Sequence, residues 1–483
     1  MASKVKSTLY SAVGVYSNQV LSFVTAAILG RLLEPKDFGL VALLLLVNGF
    51  LSLFASAGVS SVIIQFRDLG QRELKALVGL CWIIGLVLML GSIAAAQPLA
   101  AFFSSPQLTE IIPVGAFALL LTPVAQVVDG VLIREDRFGA RATVAIMSAL
   151  AGSVVGISLA LLGYGYWALV IQLIVRPFFA LVFGFLSIRM FPLPSVNLSL
   201  YRRVGNYAAN LVGFRFLNYW TQNLDNLLIG KSIGIAELGY YSRAYALFNL
   251  STNIIQGVTG PVLHSSFAKV KNDPAALKKE IASTLSVIAL ISMPMMAVAS
   301  IYSEEIIRAA WGPKWDLAVL PFSLLAIAGM FRPVQAVSGE VMKALGRTGE
   351  LLGWGLFRLG LYAVAIILGL KAGILGVACG VLVASILNWA IFSNFVLLRC
   401  TNLTTPELFC YYYPALKLLI WMACTAYGLK YFVFPTFGDI SRLLFSIPLL
   451  LMVYLLICWR QKNKIFEIIF AIKRKIMLSY GRT

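Results

Sequence analysis

The sequence has few of the residues that enzymes use for catalysis. His264 is the only histidine among 483 residues, so a His-based metal site or a Ser-His-Asp triad lacks its parts. No loop with the complete G-x-x-x-x-G-K-[ST] pattern appears, which argues against ATP hydrolysis by this chain. We therefore expect no enzymatic activity, no cofactor and no metal centre.

Acidic residues and cysteines are also scarce. The chain has 20 Asp and Glu against 39 Lys and Arg, a formal charge of +19. Membrane proteins collect basic residues in cytoplasmic loops, so the excess does not indicate nucleic-acid binding. The six cysteines lack metal-ligand spacing, and we interpret them as free, buried thiols. They are Cys81, Cys379, Cys400, Cys410, Cys424 and Cys458.

Apolar residues dominate the composition. The chain is 60% hydrophobic and 12% charged, with a mean hydropathy of +0.88, which predicts an all-α integral membrane protein. Since a span needs about 20 mostly apolar residues, the sequence predicts fourteen transmembrane helices. Their windows are 9–32, 39–64, 76–102, 109–133, 142–162, 166–188, 207–229, 244–267, 281–302, 318–342, 351–370, 373–398, 412–430 and 443–459.

The distribution of Lys and Arg predicts the orientation. With the N-terminus inside, inner loops and termini hold 25 of these residues and outer loops hold 9. This asymmetry places both termini in the cytoplasm of a multi-pass protein. The short head before the first span has no small-residue cleavage site and resembles an uncleaved start.

Two similar boxes indicate an internal duplication. GRLLEPKDFG at 30–39 and GKSIGIAELG at 230–239 lie 200 residues apart, and Asn48 and Pro123 have counterparts in Asn249 and Pro333. We expect two pseudo-symmetric six-helix lobes followed by two further helices and a basic, amphipathic cytoplasmic tail. The predicted boundaries are 1–200, 201–400, 401–460 and 461–483.

A polar stripe marks the seventh span. Arg215, Asn218, Gln222 and Asp225 follow each other at spacings of 3, 4 and 3, which keeps them on one side of a helix. Charged side chains inside a membrane are by default functional candidates. The stripe could also hold helices together. Asp225 is a candidate proton or Na⁺ site, or the counter-ion of an arginine.

The tenth and eleventh spans carry further cations. Arg332 precedes a proline that can break the helix, with Gln335 one turn later, and Arg358 lies on the eleventh span. Guanidinium groups match phosphate oxygens, so Arg215, Arg332 and Arg358 could line a site for an anionic headgroup.

Other ionisable residues have simpler interpretations. Arg176 and Lys417 are expected to extend to the headgroups from helix ends. Asp129 could pair with Arg134 or have a function of its own. Glu340 could pair with Lys343 or take part in ion coupling.

The first lobe has neutral polar faces. The polar residues on these faces could bind sugar hydroxyls or take part in ordinary helix packing. They are Ser11, Asn18, Ser22 and Thr25 on the first span, and Asn48, Ser52 and Ser56 on the second.

The order of motifs resembles one transporter family over nearly the whole chain. The motifs are the box at 30–39, NLDNLLIG at 223–230 running into LGYY at 238–241, FAKV at 267–270 with Asp273, and WGPKW at 311–315. They resemble the Wzx-type oligosaccharide-lipid flippases of the multidrug/oligosaccharidyl-lipid/polysaccharide superfamily, most closely the colanic-acid-type branch.

The resemblance implies a function in the bacterial cytoplasmic (inner) membrane. Such proteins move undecaprenyl-pyrophosphate-linked oligosaccharides to the outer leaflet by alternating access, for exopolysaccharide, O-antigen or capsule export. Some use an H⁺ or Na⁺ gradient, and a polysaccharide polymerase and a chain-length protein are implied partners. Related peptidoglycan-precursor flippases keep arginines in the first lobe. Here that lining is predicted to be uncharged, which assigns the headgroup to the second lobe.

We accordingly expect Arg215, Arg332 and Arg358 to hold the pyrophosphate, and Asn18, Ser22, Asn218 and Gln222 to meet sugars. Two alternatives stay open. A multidrug or cation antiporter of the same superfamily would favour an acidic cavity. A membrane glycan polymerase would normally show a large extramembrane loop or a carboxylate cluster.

Overall fold

The computed structural model of the chain describes residues 2–55, 62–63, 69–188, 198–249, 267, 270, 272–393, 395–396, 398 and 405–460. Within these ranges every regular element is helical. The all-α membrane fold is therefore confirmed. The predictions for Ser56, His264 and the tail at 461–483 lie outside the described residues, as does the one for the side chain of Ser11.

The long helices follow the chain in the predicted order, and each of the fourteen predicted spans overlaps one of them. They are α1 Ala2–Leu32, α2 Pro35–Ala55, α3 Gln71–Ala94, α4 Phe117–Arg134, α5 Phe138–Leu161, α6 Trp167–Ile188, α7 Leu198–Ser232, α8 235–249, α9 Pro274–Ile301, α10 Arg332–Ala344, α11 Thr348–Gly369, α12 Gly373–Asn388, α13 Thr405–Gly428 and α14 Asp439–Arg460.

Shorter helical pieces extend several of these helices. They are Ala96–Phe102, Leu108–Gly115, Ser303–Trp311, Val319–Gly329, the 3₁₀ turn Pro313–Ala318, and the π-helical turns Trp389–Ser393 and Leu429–Val433. Ten segments of the described chain are long and apolar enough to cross a bilayer, and one of them, Gly349–Phe392, contains both α11 and α12. The chain is thus a multi-pass membrane protein, and the count of fourteen crossings stays a prediction.

Contacts divide the chain into two units, Met1–Gly239 and Tyr240–Thr483. The lobe boundaries at 200 and 400, which follow the repeat, stay a prediction. In the first unit, α5 packs against α1 and α6, α4 packs against α3 and α6, and α7 packs against α2. Buried Leu74, Leu77, Val127, Val131 and Leu181 form the apolar core between α3, α4 and α6.

The two copies of the repeated box contact each other directly. A Cβ atom on Gly39 would overlap the carbonyl oxygen of Ile235, and one on Gly239 would overlap the carbonyl oxygen of Pro35. The contact is reciprocal, because each partner lies 200 residues from its counterpart. Glycine is needed at both positions since the backbones approach too closely for any side chain.

In the second unit, α13 is tied to α9 along its length. Apolar packing between them is supplemented by Lys278 Nζ, 2.8 Å from Glu407 Oε1, and by Tyr302, whose hydroxyl donates to the Ala426 carbonyl at 3.1 Å. Halfway along, Ser286 donates to the Tyr411 carbonyl at 3.0 Å. The two helices outside the repeat are therefore anchored to this unit.

A buried ion cluster joins the turn after the end of α13 to the start of α14. Glu305 is fully buried and receives Lys430 Nζ at 2.9 Å and Arg442 Nη1 at 2.7 Å. Lys430 also donates to the Ile301 carbonyl, and Arg442 to the Phe434 carbonyl. Because the carboxylate meets two cations that are themselves hydrogen-bonded, its desolvation is compensated.

The WGPKW motif forms a compact turn beside this cluster. Trp311 and Trp315 are buried, with ring centroids 5.6 Å apart, and Gly312 between them has a φ of +90° that favours glycine. Arg308 donates to both carboxylate oxygens of Asp316 at 2.8 Å. These hydrogen bonds raise the pKa of the Arg308 guanidinium above its ordinary value. The motif is structural.

Apolar side chains cover the outer surfaces, as a bilayer requires. Leu444, Leu451 and Leu455 of α14 are all more than half exposed. The prediction of buried cysteines is wrong for several positions, because their helices face outward: Cys379, Cys410 and Cys424 are exposed free thiols, whereas Cys81 is buried.

We expect Gly39→Ala and Gly239→Ala each to lower the free energy of unfolding by about 1–3 kcal/mol, because the added methyl group forces two helices apart. Unfolding of the detergent-purified variants in denaturant would measure this. Gly91→Ala is the matched control, since no atom lies within 4 Å of the point where its added Cβ would stand. An equal loss in all three variants would contradict the close crossing.

Candidate functional site

A break in a membrane-spanning segment positions Arg332. The helix Val319–Gly329 ends in a turn at Met330 and Phe331, and α10 begins at Arg332 with Pro333 as its second residue. The predicted effect of the proline is confirmed. An arginine in the first turn adds its charge to the positive end of the helix dipole, which is an arrangement suited to anions.

Residues of α8 hold this guanidinium in a fixed orientation. Arg332 Nη1 donates to Asn249 Oδ1 at 2.9 Å, and Nη2 donates to the Tyr245 hydroxyl at 2.7 Å. The Phe248 ring centroid lies 4.4 Å from the guanidinium carbon, within cation–π distance. Tyr245, Phe248 and Asn249 share one face of α8 because they are three and four residues apart.

A second polar group joins α10, α11 and α12. Gln335 Nε2 donates to the Ser385 carbonyl at 2.8 Å, and the hydroxyls of Tyr362 and Ser385 are 2.9 Å apart. Arg358, one turn before Tyr362, is close enough to interact electrostatically with Tyr362 and Arg332. Arg332, Gln335 and Arg358 thus lie on two neighbouring helices of the second unit, α10 and α11, and their joint role in binding stays a prediction.

Two buried polar atoms lie on the same helices. Within the described part of the chain, Asn388 Oδ1 on α12 and Ser338 Oγ on α10 have no hydrogen-bond partner. Asn388 is one turn beyond Ser385, and the π-helical turn Trp389–Ser393 follows it. Irregular π-helical turns are frequent at functional sites.

The predicted stripe of the seventh span lies on one unbroken helix, α7. Asp225 is buried, Arg215 and Asn218 are half-buried, and Gln222 is exposed. Asp225 Oδ1 accepts a hydrogen bond from the backbone N–H of Asn226 at 2.8 Å. The division by contacts assigns Arg215 to the first unit, so neither unit by itself contains the complete predicted set of three arginines.

Arg176 differs most from its prediction. It lies near the middle of α6, too far from either end to reach the headgroups, and its Nη2 donates to Asn18 Oδ1 on α1 at 2.9 Å. The expectation of a snorkelling side chain is therefore wrong. The prediction of an uncharged polar face on the first span is also corrected, since a guanidinium binds one of its members.

The other polar residues of the first unit mainly join helices. Thr25 donates to Ser153 Oγ at 2.7 Å, and Asn48 Nδ2 donates to the Gly115 carbonyl at 2.9 Å. Ser22 is half-buried on α1. Packing therefore accounts for Thr25 and Asn48.

The predicted carboxylate pairs have different outcomes. Glu340 and Lys343 pair at 2.9 Å, which confirms the simpler interpretation. Asp129 pairs with Arg141 of α5 at 2.6 Å rather than with Arg134, which donates to the Leu69 carbonyl. The reason is geometric: residues five apart on a helix differ by about 140° in direction.

Sequence reasoning missed the partners of Arg332. Tyr245 and Phe248 look like ordinary aromatic residues of the eighth span, and Ser385 belongs to no pattern that would distinguish it. Asn249 carries the one available signal, since it is the repeat counterpart of the polar residue Asn48.

The chain is similar to known proteins of polysaccharide biosynthesis. The family described as polysaccharide biosynthesis protein matches residues 28–320. The succinoglycan biosynthesis transport protein ExoT of Rhizobium meliloti is 25% identical over 342 residues, covering 70% of this chain and 68% of ExoT. The lipopolysaccharide biosynthesis protein WzxC of Escherichia coli K12 is 25% identical over 391 residues, covering 78% and 77% respectively.

A solved structure shares the fold. The lipid II flippase MurJ in its inward closed conformation aligns with a TM-score of 0.76 at 13% identity, over 95% of this chain and 100% of that one. At this identity the likeness shows the fold alone.

We expect Tyr245→Phe to lower the free energy of unfolding by about 1–2 kcal/mol, because Arg332 loses a hydrogen-bond acceptor within the membrane. Denaturant unfolding of the detergent-purified protein would measure it. Tyr164→Phe is the control, since Tyr164 is 57% exposed. If both variants behave alike, the tyrosine does not hold the guanidinium.

Proposed function

The chain belongs to the polysaccharide biosynthesis protein family, and from this membership we propose that it is a flippase for lipid-linked oligosaccharides. Its relatives include a transport protein of succinoglycan biosynthesis and a protein of lipopolysaccharide biosynthesis. The many apolar helices suit a substrate whose lipid tail stays in the bilayer while its polar part crosses.

The observation that carries the substrate proposal is the oriented guanidinium of Arg332. Two hydrogen bonds and an aromatic ring fix its plane at a helix break within the membrane. A fixed guanidinium fork binds the two oxygens of a phosphate better than a mobile one, because less freedom is lost on binding. We propose that Arg332 and Arg358, both in the second unit, hold the pyrophosphate of an undecaprenyl-linked glycan, and that Arg215 of the first unit is a separate candidate for binding it.

Neutral groups supply candidate contacts for the sugars. In the second unit, Gln335 lies one turn from Arg332 on α10. In the first unit, Ser22, Asn218 and Gln222 offer hydroxyl and amide groups. Such groups exchange hydrogen bonds with sugar hydroxyls without a charge. Because Gln335 already donates to a backbone carbonyl, its amide oxygen is the atom we assign to the glycan.

Asp225 is the better of the two candidates for ion coupling. Glu340 is paired with Lys343 near the end of α10, as expected for a structural carboxylate. Asp225 is 3% exposed and lies about two turns before the end of α7 at Ser232. We therefore propose that Asp225 binds the H⁺ or Na⁺ whose gradient drives transport.

The cellular setting follows from the same proposal. The protein would lie in the bacterial cytoplasmic membrane with both termini inside, as the distribution of basic residues predicts. The outer leaflet would then receive the flipped substrate, where a polysaccharide polymerase and a chain-length protein would use it.

We expect Arg332→Gln to slow transport at least about tenfold, since a charge-assisted hydrogen bond to phosphate is worth about 1.5–3 kcal/mol. Flipping of a fluorescent undecaprenyl-pyrophosphate oligosaccharide in proteoliposomes would measure this. Arg332→Lys should retain part of the activity.

The matched control is Arg347→Gln, because Arg347 pairs with Glu350 at a helix start in the same unit. Equal rates for Arg332→Gln and Arg347→Gln would contradict the headgroup site. Glycan lengthening by the purified wild-type protein would instead indicate a polymerase, and export of cationic drugs would indicate an antiporter.

We expect Asp225→Asn to abolish the stimulation of transport by an imposed H⁺ or Na⁺ gradient, because the amide cannot bind either ion by charge. Flipping would be compared with the gradient present and collapsed by an ionophore. Glu135→Gln serves as the control, since Glu135 lies in the turn after α4 and is exposed. A gradient response that survives in Asp225→Asn would rule out this role.

A further inference from the structure

We infer that Arg176 and Asn18 form a second oxyanion subsite, located in the first unit. The two side chains come from α6 and α1, whose sequences share no motif that would link them. The inference rests on the proposed function, because the oxyanion is taken to belong to the transported lipid-linked glycan.

The position of Arg176 is the first observation. It lies nine residues after the start of α6 at Trp167 and twelve before its end at Ile188. At 1.5 Å per residue these distances are about 14 Å and about 18 Å, which exceeds the reach of an arginine side chain. The charge therefore lies near the middle of the span, where side chains of this kind face a bundle interior or a water-filled cavity.

The partners of Arg176 are the second observation. Asn18 Oδ1 is its one hydrogen-bond partner among the described residues, and no described carboxylate lies within 4 Å. An amide oxygen can orient a guanidinium but cannot neutralise it. By contrast, the cations Lys430 and Arg442 share the carboxylate of Glu305 near the ends of their helices. A guanidinium that lies in the middle of a span and has no carboxylate beside it is suited to bind an anion from outside the chain.

The packing around Arg176 is the third observation. Gly152 and Gly156 of α5 face Arg176 and Gln172, which are one turn apart on α6. A Cβ atom on Gly156 would stand 3.2 Å from the Gln172 side chain. The glycines let α6 approach α5, and the Arg176 side chain reaches Asn18 of α1. The side chain of Arg176 is exposed at the surface of the first unit.

The chemistry of the site selects an oxyanion. A guanidinium has five N–H donors in a planar fork, and Asn18 accepts from only one nitrogen. The remaining donors match two oxygens of a phosphate or a carboxylate. A lipid-linked glycan offers both, the first in its pyrophosphate and the second in any uronic acid sugar. The shared requirement is a negatively charged pair of oxygens.

Binding measurements on the full-length protein in nanodiscs would test the subsite. We expect Arg176→Gln to raise the Kd for undecaprenyl pyrophosphate at least about tenfold, and Arg176→Lys to raise it less, because the charge remains without the fork. Asn18→Ala should also weaken binding by freeing the guanidinium to turn. Arg137→Gln is the control in the same unit, since Arg137 lies on a loop beside Glu135.

A parallel titration with glucuronate distinguishes the two sources of the oxyanion, the pyrophosphate and a uronic acid sugar. Weaker binding of undecaprenyl pyrophosphate alone assigns the subsite to phosphate, and weaker binding of glucuronate alone assigns it to an acidic sugar. If Arg176→Gln binds both as the wild type does, the inference is overturned. Arg332→Gln distinguishes the proposals: if only that variant binds weakly, the flippase site stands and this subsite fails.

Thermal unfolding separates a binding role from a structural one. Replacing an uncompensated intramembrane charge with glutamine should leave the Tm unchanged or raise it, because the amide costs less to bury. A large fall in Tm together with normal binding in Arg176→Lys and Asn18→Ala would assign Arg176 to helix packing and overturn the inference. A wild type that binds neither probe would overturn both this subsite and the proposed headgroup site.

Discussion

A charge inside a membrane must be compensated by a partner, by water or by a ligand, and this constraint organises the polar residues of the chain. Near helix ends the charges are paired within the protein, as in the cluster around Glu305 and in the Asp129–Arg141 pair. Towards the middle of the spans, Asn249 and Asn18 accept hydrogen bonds from the guanidinium groups of Arg332 and Arg176 and orient them. The first arrangement stabilises the fold, whereas the second presents oriented guanidinium groups, which match the oxygens of an anion.

Two asparagines that the predicted repeat pairs with each other make comparable contacts. Asn48 and Asn249 are counterparts in the predicted repeat, and each contacts a residue beside a helix break. Asn48 donates to the Gly115 carbonyl, next to the break between Leu108–Gly115 and α4. Asn249 accepts from Arg332, directly after the break before α10. The same position thus serves packing in one copy and orients a cation in the other.

The fold and part of the candidate site could be predicted from the sequence, because the features that predict them act over short stretches of the chain. Apolar runs predict spans, and Pro333 predicts the break beside Arg332, because both effects are local. The contact of Tyr245 with Arg332 depends on how separate helices pack, which one sequence does not encode by spacing. The prediction for Arg176 is wrong although the predicted span 166–188 agrees with α6, because Arg176 lies nine residues from the nearer end of that helix, beyond the reach of its side chain.

The structure also changes how the asymmetry of the two copies is understood. The counterpart of Arg332, counted back by the 210 residues that separate Pro123 from Pro333, is Thr122, whose hydroxyl bonds the Ala118 carbonyl. Arg176 has no arginine near its own counterpart on α12. Each copy therefore carries an intramembrane arginine, but on a different helix. A duplicated backbone fixes where helices break and cross, while single substitutions decide which helix presents the charge. If both arginines bind the substrate, the two copies of the repeat each recognise an oxyanion with an arginine, but the arginine lies on a different helix in each copy.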